Sequence, residues 1–117
     1  MKNMKNLREL LPKPDNKVLF DRSKYRSVPQ SAGCYVLTNF SEDALYIGKT
    51  SDLHRRFQEH LDDSQKTGLT PEGRAFWFFY LQCEDDNLDL LENSWLNDYE
   101  IRNGQKPILN KMGTPRS

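Results

Sequence analysis

Residues 33–61 read GCYVLTNFSEDALYIGKTSDLHRRFQEHL, and this stretch decides the fold. Gly33–Thr38 (GCYVLT) and Ala44–Gly48 (ALYIG) are short runs rich in Val, Ile, Leu and Tyr, which predict two strands. The polar residues Asn39–Asp43 between them predict a hairpin loop. The period then changes. Leu53, Phe57 and Leu61 recur at every fourth position, which predicts a helix from Asp52 to about Ser64, capped by Ser51 or Asp52. Further on, Thr67–Gly73 (TGLTPEG) reads as a loop, and Phe76–Cys83 (FWFFYLQC) is apolar on both faces, as in a well-buried strand. A second helix is expected over Asn87–Asn103. Leu88, Leu91, Trp95 and Tyr99 form its buried stripe, and Gly104 stops it. Toward the amino terminus, a short helix near Asn6–Leu11 is stopped by Pro12 and Pro14. The order β-β-α-β-α makes a small α+β domain.

A chain of 117 residues is one domain, large enough to bury a core without a disulfide or structural metal. Its 17 basic and 17 acidic residues cancel, which excludes a protein held to nucleic acid or membrane by bulk charge alone. The charge is nevertheless segregated. Residues 1–30 carry eight basic and three acidic side chains, whereas residues 84–100 carry seven acidic and no basic ones. The expected organisation is a basic amino-terminal arm with a short helix over 1–30, a folded domain over 31–112 and a flexible tail over 113–117. A basic arm either follows a phosphate backbone or merely solvates a loosely ordered terminus, and composition alone favours the second. Cys34 and Cys83 lack CxxC spacing and read as buried free thiols of a reducing compartment, hence a cytoplasmic protein. No apolar run approaches the length of a membrane span, and the start has no apolar signal-peptide core.

The chemistry gathers around the hairpin. If Thr38 pairs with Leu45, Tyr35 opposes Gly48 and Tyr46 opposes Leu37, so the two tyrosines share a face as diagonal neighbours. Gly48 then leaves an open patch beside Tyr35, where a ligand can approach the backbone. Arg56 and His60, at i and i+4, form one row at the core boundary. The arginine fork suits a phosphate and the imidazole moves a proton near neutral pH. Taken singly, each has a bland reading: strand tyrosines, a surface arginine, a half-buried histidine. Arg55 points away, toward Glu59, and His54 is expected to be exposed. Glu92 is the anomaly, because it lies within or beside the apolar stripe of the second helix, and a buried carboxylate needs a partner. Arg56 and a hard divalent cation such as Mg²⁺ both qualify, and without further information the salt bridge is favoured. Two phenols, a guanidinium, an imidazole and a carboxylate on one wall are what phosphodiester hydrolysis needs. There is no zinc-spaced Cys/His cluster, nucleophile elbow or glycine-rich phosphate loop.

The segments GCYVLTN, LYIGKTSDLHRRFQEH and LLENSWLNDYEIRNGQKPILN resemble the GIY-YIG endonuclease superfamily. Within it, they are most similar to the intron-homing and phage-type endonucleases and to the amino-terminal nuclease domain of the bacterial excision-repair enzyme. The resemblance runs from about Ala32 to Asn110. The YIG motif is intact at Tyr46–Gly48. The first motif reads GCY, keeping Gly33 and Tyr35 and sending Cys34 into the core. Arg56 matches the family's catalytic arginine, His60 a histidine common in part of the family, and Glu92 the glutamate that opens the last helix, which Pro107 and Asn110 close.

The resemblance implies a three-stranded antiparallel sheet flanked by helices, and a GIY-YIG nuclease-like domain over 31–112. It implies a metal-dependent endonuclease that hydrolyses DNA phosphodiester bonds, nicking to 5′-phosphate and 3′-hydroxyl ends. Glu92 would hold a single Mg²⁺ or Mn²⁺, weakly without DNA. Arg56 would bind the scissile phosphate, and Tyr35 would act as general base or position the water. Tyr46 and Lys49 would assist. The DNA is expected to be branched, nicked or bound with sequence tolerance. Contacts from Lys2, Lys5, Arg8, Lys13, Lys17, Lys49 and Arg56 would give weak, salt-sensitive binding. The alternative is a non-catalytic module on the same fold, binding nucleic acid or binding protein through Asp85, Asp86 and Asp89.

Overall fold

The structure, a computed structural model, describes residues 4–111. The tail expected over 113–117 and the arm residue Lys2 lie outside the described residues. Four antiparallel strands form one sheet: β1 (Asn16–Leu19), β2 (Gly33–Thr38), β3 (Ala44–Thr50) and β4 (Trp77–Gln82), in the spatial order β1-β4-β2-β3. The helices are α1 (Leu53–Leu61), α2 (Ser64–Thr67), α3 (Leu88–Asn103) and α4 (Ile108–Lys111).

The sheet thus has one strand more than the three expected. That strand comes from the segment read as an arm: Asn16 to Leu19 pair with Tyr80 to Trp77 on β4. NKVL is too short and too polar to read as a strand alone, and the open edge of β4 supplies its partner. The same segment buries Leu7 and Leu10 in the core. Its short helix is a 3-10 turn at Leu7–Glu9. Two of its cations are engaged, Lys5 with Glu72 at 3.0 Å and Lys17 with Glu42 at 2.7 Å. The segment thus gives the domain an edge strand and two core leucines, while much of the rest of it stays exposed.

All six residues of β2 are buried, because helices cover both sides of the sheet. Alternation sends Cys34 and Val36 to one face, with Ile47 and Phe79, under Leu88, Trp95 and Tyr99 of α3. It sends Tyr35 and Leu37 to the other face, with Phe78 and Tyr80, under Leu53 and Phe57 of α1. Cys34 is a free, fully buried thiol whose Sγ–H donates to the Leu88 carbonyl at 3.5 Å, and burial pushes its pKa up to about 12. Cys83 is free and half-buried. None of the helices among the described residues is long and apolar enough to cross a membrane.

Local chemistry sets the element ends. Asp52 caps α1 by accepting from Arg55 N at 3.1 Å. The helix stops at Leu61, short of Ser64, because Asp63 caps the next turn instead, accepting from Gln65 N at 2.9 Å. At the end of α3, Gly104 takes φ 80°, the left-handed stop that glycine permits. In the hairpin, Thr38 pairs with Ala44, not with Leu45. A bulge absorbs Leu45, and the pairs Tyr35/Gly48 and Leu37/Tyr46 form as expected.

Candidate active site

Tyr35 and Tyr46 share a sheet face, with ring centroids 6.1 Å apart. The space over Gly48 is not open to a ligand, because the Tyr35 ring fills it. A Cβ on Gly48 would lie 2.5 Å from the Tyr35 hydroxyl and 2.6 Å from its Cζ. Tyr35 has no exposed surface, stacks on Phe78 at 5.2 Å, and places its hydroxyl 2.6 Å from His60 Nε2. The His60 ring sits 5.4 Å from Tyr35 and 5.3 Å from Tyr46, so three rings close a triangle. Gly48→Ala is expected to push Tyr35 off His60 and to lower stability by about 1–3 kcal/mol, the usual range for overpacking. Chemical denaturation measures this, and an unchanged midpoint would mean that the ring moves aside freely.

Burial governs the ionisation of this cluster. It drives the His60 pKa down to about 3, aided by the positive charges of Lys66 and Arg56 and opposed by Asp63. His60 is therefore not the proton carrier near neutral pH that the sequence predicts. It is a neutral imidazole whose Nε2 faces a phenol. Burial also holds Tyr35 well above the usual phenol range, with Tyr46 adding to the effect and Arg56 opposing it. Tyr46, half-buried, is raised chiefly by burial and is again opposed by Arg56. The Arg56 guanidinium thus favours phenolate at both positions. Its Nε lies 2.9 Å from Glu59 Oε1 but off the N–H axis, so this buried donor makes no hydrogen bond among the described residues. Arg55 pairs with Glu59 at 3.4 Å as expected. His54 is half-buried rather than exposed, because its Nδ1 reaches the Val28 carbonyl at 2.9 Å.

Glu92 lies across the sheet, on α3. No Arg56–Glu92 salt bridge forms among the described residues, since α1 and α3 cover opposite faces. The partner is Lys49, with Nζ 3.7 Å from Glu92 Oε1 and in closer contact with Asp89. Strand alternation explains this. Tyr46 and Gly48 face α1, while Lys49 faces α3. Burial raises the Glu92 pKa, Lys49 opposes the rise and Asp89 adds to it. Glu92 also disfavours ionisation of Tyr46, so the two halves of the site meet electrostatically at the β3 edge. Between them, Asn110 completes that edge: Oδ1 accepts from Ile47 N and Nδ2 donates to Ile47 O, both at 2.9 Å. Among the described residues no group of three or more His, Cys, Asp or Glu gathers around a common point. Glu92 offers the less exposed of two carboxylates that share Lys49, whose Nζ lies 3.7 Å from its Oε1. That suits a divalent cation with one carboxylate ligand and a shell of water, and does not suit a protein cage.

A sequence model of the GIY-YIG catalytic domain matches residues 31–106. The chain belongs to the GIY-YIG family. Its fold is also that of the GIY-YIG N-terminal endonuclease domain of UvrC from Thermotoga maritima. The form of that domain bound to its catalytic divalent cation, magnesium, is 21% identical with a TM-score of 0.57, over 76% of this chain and 93% of that one. A tyrosine-to-phenylalanine point mutant, also bound to its catalytic divalent cation, is 21% identical with a TM-score of 0.55, over 76% and 92%. At this identity the likeness speaks to fold.

This GIY-YIG domain holds one site residue that sequence reasoning missed. Lys66, on α2, is buried, with its Nζ 4.7 Å from the Tyr46 ring centroid and 3.6 Å from Asp63 Oδ2. Nothing in the polar run SQKT signals this, since such a run ordinarily faces water.

Proposed function

We propose that this GIY-YIG domain is a divalent-metal-dependent endonuclease that hydrolyses DNA phosphodiester bonds, leaving 5′-phosphate and 3′-hydroxyl ends. The carrying observation is the Tyr35–His60 contact at 2.6 Å beneath the half-exposed Tyr46, with Arg56 beside it. Tyr46 is the phenol that meets water or DNA, because Tyr35 has no exposed surface. Tyr35 stands behind it and donates its hydroxyl to neutral His60, in the tautomer that leaves Nε2 free to accept, which fixes the imidazole against Tyr46. Arg56 offers its fork to the scissile phosphate and offsets the charge that builds there. Glu92 would hold the single Mg²⁺ or Mn²⁺, which when bound supplies further charge neutralisation at the phosphate. Lys49, on the same edge, is held by Asp89 and Glu92 and would reach a flanking phosphate only by leaving them. Water adds to phosphorus as the bond to O3′ breaks; the water's proton passes by way of the Tyr46 hydroxyl to solvent, and O3′ leaves with a proton from solvent.

The DNA is bound weakly and with sequence tolerance, because Lys5 and Lys17 are already paired with carboxylates. The free thiols Cys34 and Cys83 suit a cytoplasmic setting. The test is nicking of supercoiled plasmid with Mg²⁺, with Mn²⁺ and with chelator. Cleavage is expected only with metal. Tyr46→Phe is expected to slow it by about 10²-fold or more, the usual scale of a lost acid–base group. Tyr35→Phe, which keeps the ring and removes only the hydrogen bond to His60, is expected to slow it less. Retained DNA binding at low salt with no cleavage of supercoiled, nicked or branched substrates would leave a non-catalytic module instead.

A further inference from the structure

We propose that Lys66 is a positioning residue of the reaction site, its buried ammonium clamping the Tyr46 ring against His60 and placing a fixed positive charge behind the phenol. Its part in turnover rests on the nuclease reading above; the clamp itself does not. The Lys66 side chain is 8% exposed, which is rare for lysine and needs compensation. Asp63 supplies little of it. Its Oδ2 is 3.6 Å from Nζ, too long for a hydrogen bond, and its side chain is 40% exposed. The Tyr46 ring face, 4.7 Å away, supplies the rest as a cation–π contact. His60 packs against that ring edge to face at 5.3 Å and 70°, with Tyr35 beyond at 6.1 Å.

The backbone holds the lysine there. Lys66 N donates to the Asp63 carbonyl at 3.0 Å, and Thr67 Oγ1 donates to the same oxygen at 3.2 Å. The groups facing His60 are Tyr35 from β2, Tyr46 from β3, Arg56 from its own helix, and Asp63 and Lys66 from the turn into α2. Burial is the main reason that His60 stays a neutral acceptor for the Tyr35 hydroxyl, and Lys66 and Arg56 add to it against Asp63. A residue outside the family motifs would thereby set both the pose of one phenol and the charge of the imidazole that serves the other.

The test uses the full chain. Lys66→Met keeps the aliphatic stem and removes the charge; Lys66→Arg keeps a cation. The histidine rings are titrated by NMR, with His60→Asn identifying the His60 signal against His54. The His60 pKa is expected to rise by about one unit in the Met variant and to stay near the parent value in the Arg variant. In single-turnover nicking at saturating DNA, the Met variant is expected to be about tenfold slower. Its half-saturating DNA concentration is expected to be unchanged, the acid limb of its pH–rate profile is expected to lie at higher pH, and Arg is expected to restore most of the rate. An unchanged His60 titration in folded Lys66→Met overturns the clamp. A shifted titration with a parent-like nicking rate overturns the positioning role. If the parent cuts no DNA, the nuclease reading fails while the titration still decides the clamp. If the Met variant does not fold, Lys66→Gln is read by the same titration, with the same result fatal.

Discussion

Glu92→Gln is expected to abolish metal-dependent nicking of supercoiled DNA while leaving the fold intact. Gln keeps the shape and removes the charge that a divalent cation needs, and the described residues offer no second carboxylate cluster to replace it. Stability at neutral pH is expected to hold or rise slightly. Burial raises the Glu92 pKa above the ordinary carboxylate value, despite Lys49. The native state therefore binds that proton more tightly than the unfolded chain does. Ionised Glu92 costs stability above its native pKa, and the cost vanishes below the unfolded value, about 4.5. The Gln variant removes that dependence, and Lys49 keeps Asp89 as a partner. Melting curves between pH 4 and 7 and plasmid nicking with Mg²⁺ and Mn²⁺ check both halves. Near-normal cleavage by the Gln variant would place the metal elsewhere and reduce Glu92 to an ion-pair partner of Lys49.

Arg56→Ala is expected to reduce the nicking rate by about 10²–10³-fold, the scale seen when one group facing developing charge is removed. The fold is expected to survive. The Arg56 side chain is one-third exposed, and its carboxylate partner Glu59 retains Arg55 at 3.4 Å. Arg56→Lys is expected to recover little, because a point charge does not reproduce a planar fork of donors. Single-turnover rates, with circular dichroism as the folding control, separate the cases. A variant that unfolds would make Arg56 a structural residue of the α1 face.

Much of this arrangement was legible in the sequence. The period-2 pattern of GCYVLT and ALYIG set Tyr35 opposite Gly48, and the hairpin bulge fell beyond that pair, leaving the tyrosines on a common face. The fourfold spacing of Leu53, Phe57 and Leu61 placed Arg56 and His60 on one row, and Gly104 ended α3 where a left-handed residue was needed. These are short-range geometries, fixed by strand and helix periods whatever the rest of the chain does.

The partners of the charged groups were not legible. Glu92 was open between Arg56 and a metal, and the structure gives it Lys49, because α1 and α3 lie on opposite faces of the sheet. The strand β1 exists because β4 has an edge to pair with, which NKVL does not reveal by itself. The ring of Tyr35 fills the space that Gly48 seemed to leave for a ligand.

By itself, then, the sequence determined the order of elements, the shared face of the two tyrosines, the Arg56–His60 row and the exceptional place of Glu92 on its helix. All follow from the backbone period within one element or one hairpin. Only the tertiary structure decided that Lys66 is buried over Tyr46, that His60 is neutral, and that Glu92 faces Lys49 across the β3 edge. Burial and charge pairing depend on which distant segments pack together. A carboxylate, an imidazole or an ammonium takes its character from that packing, not from its neighbours along the chain.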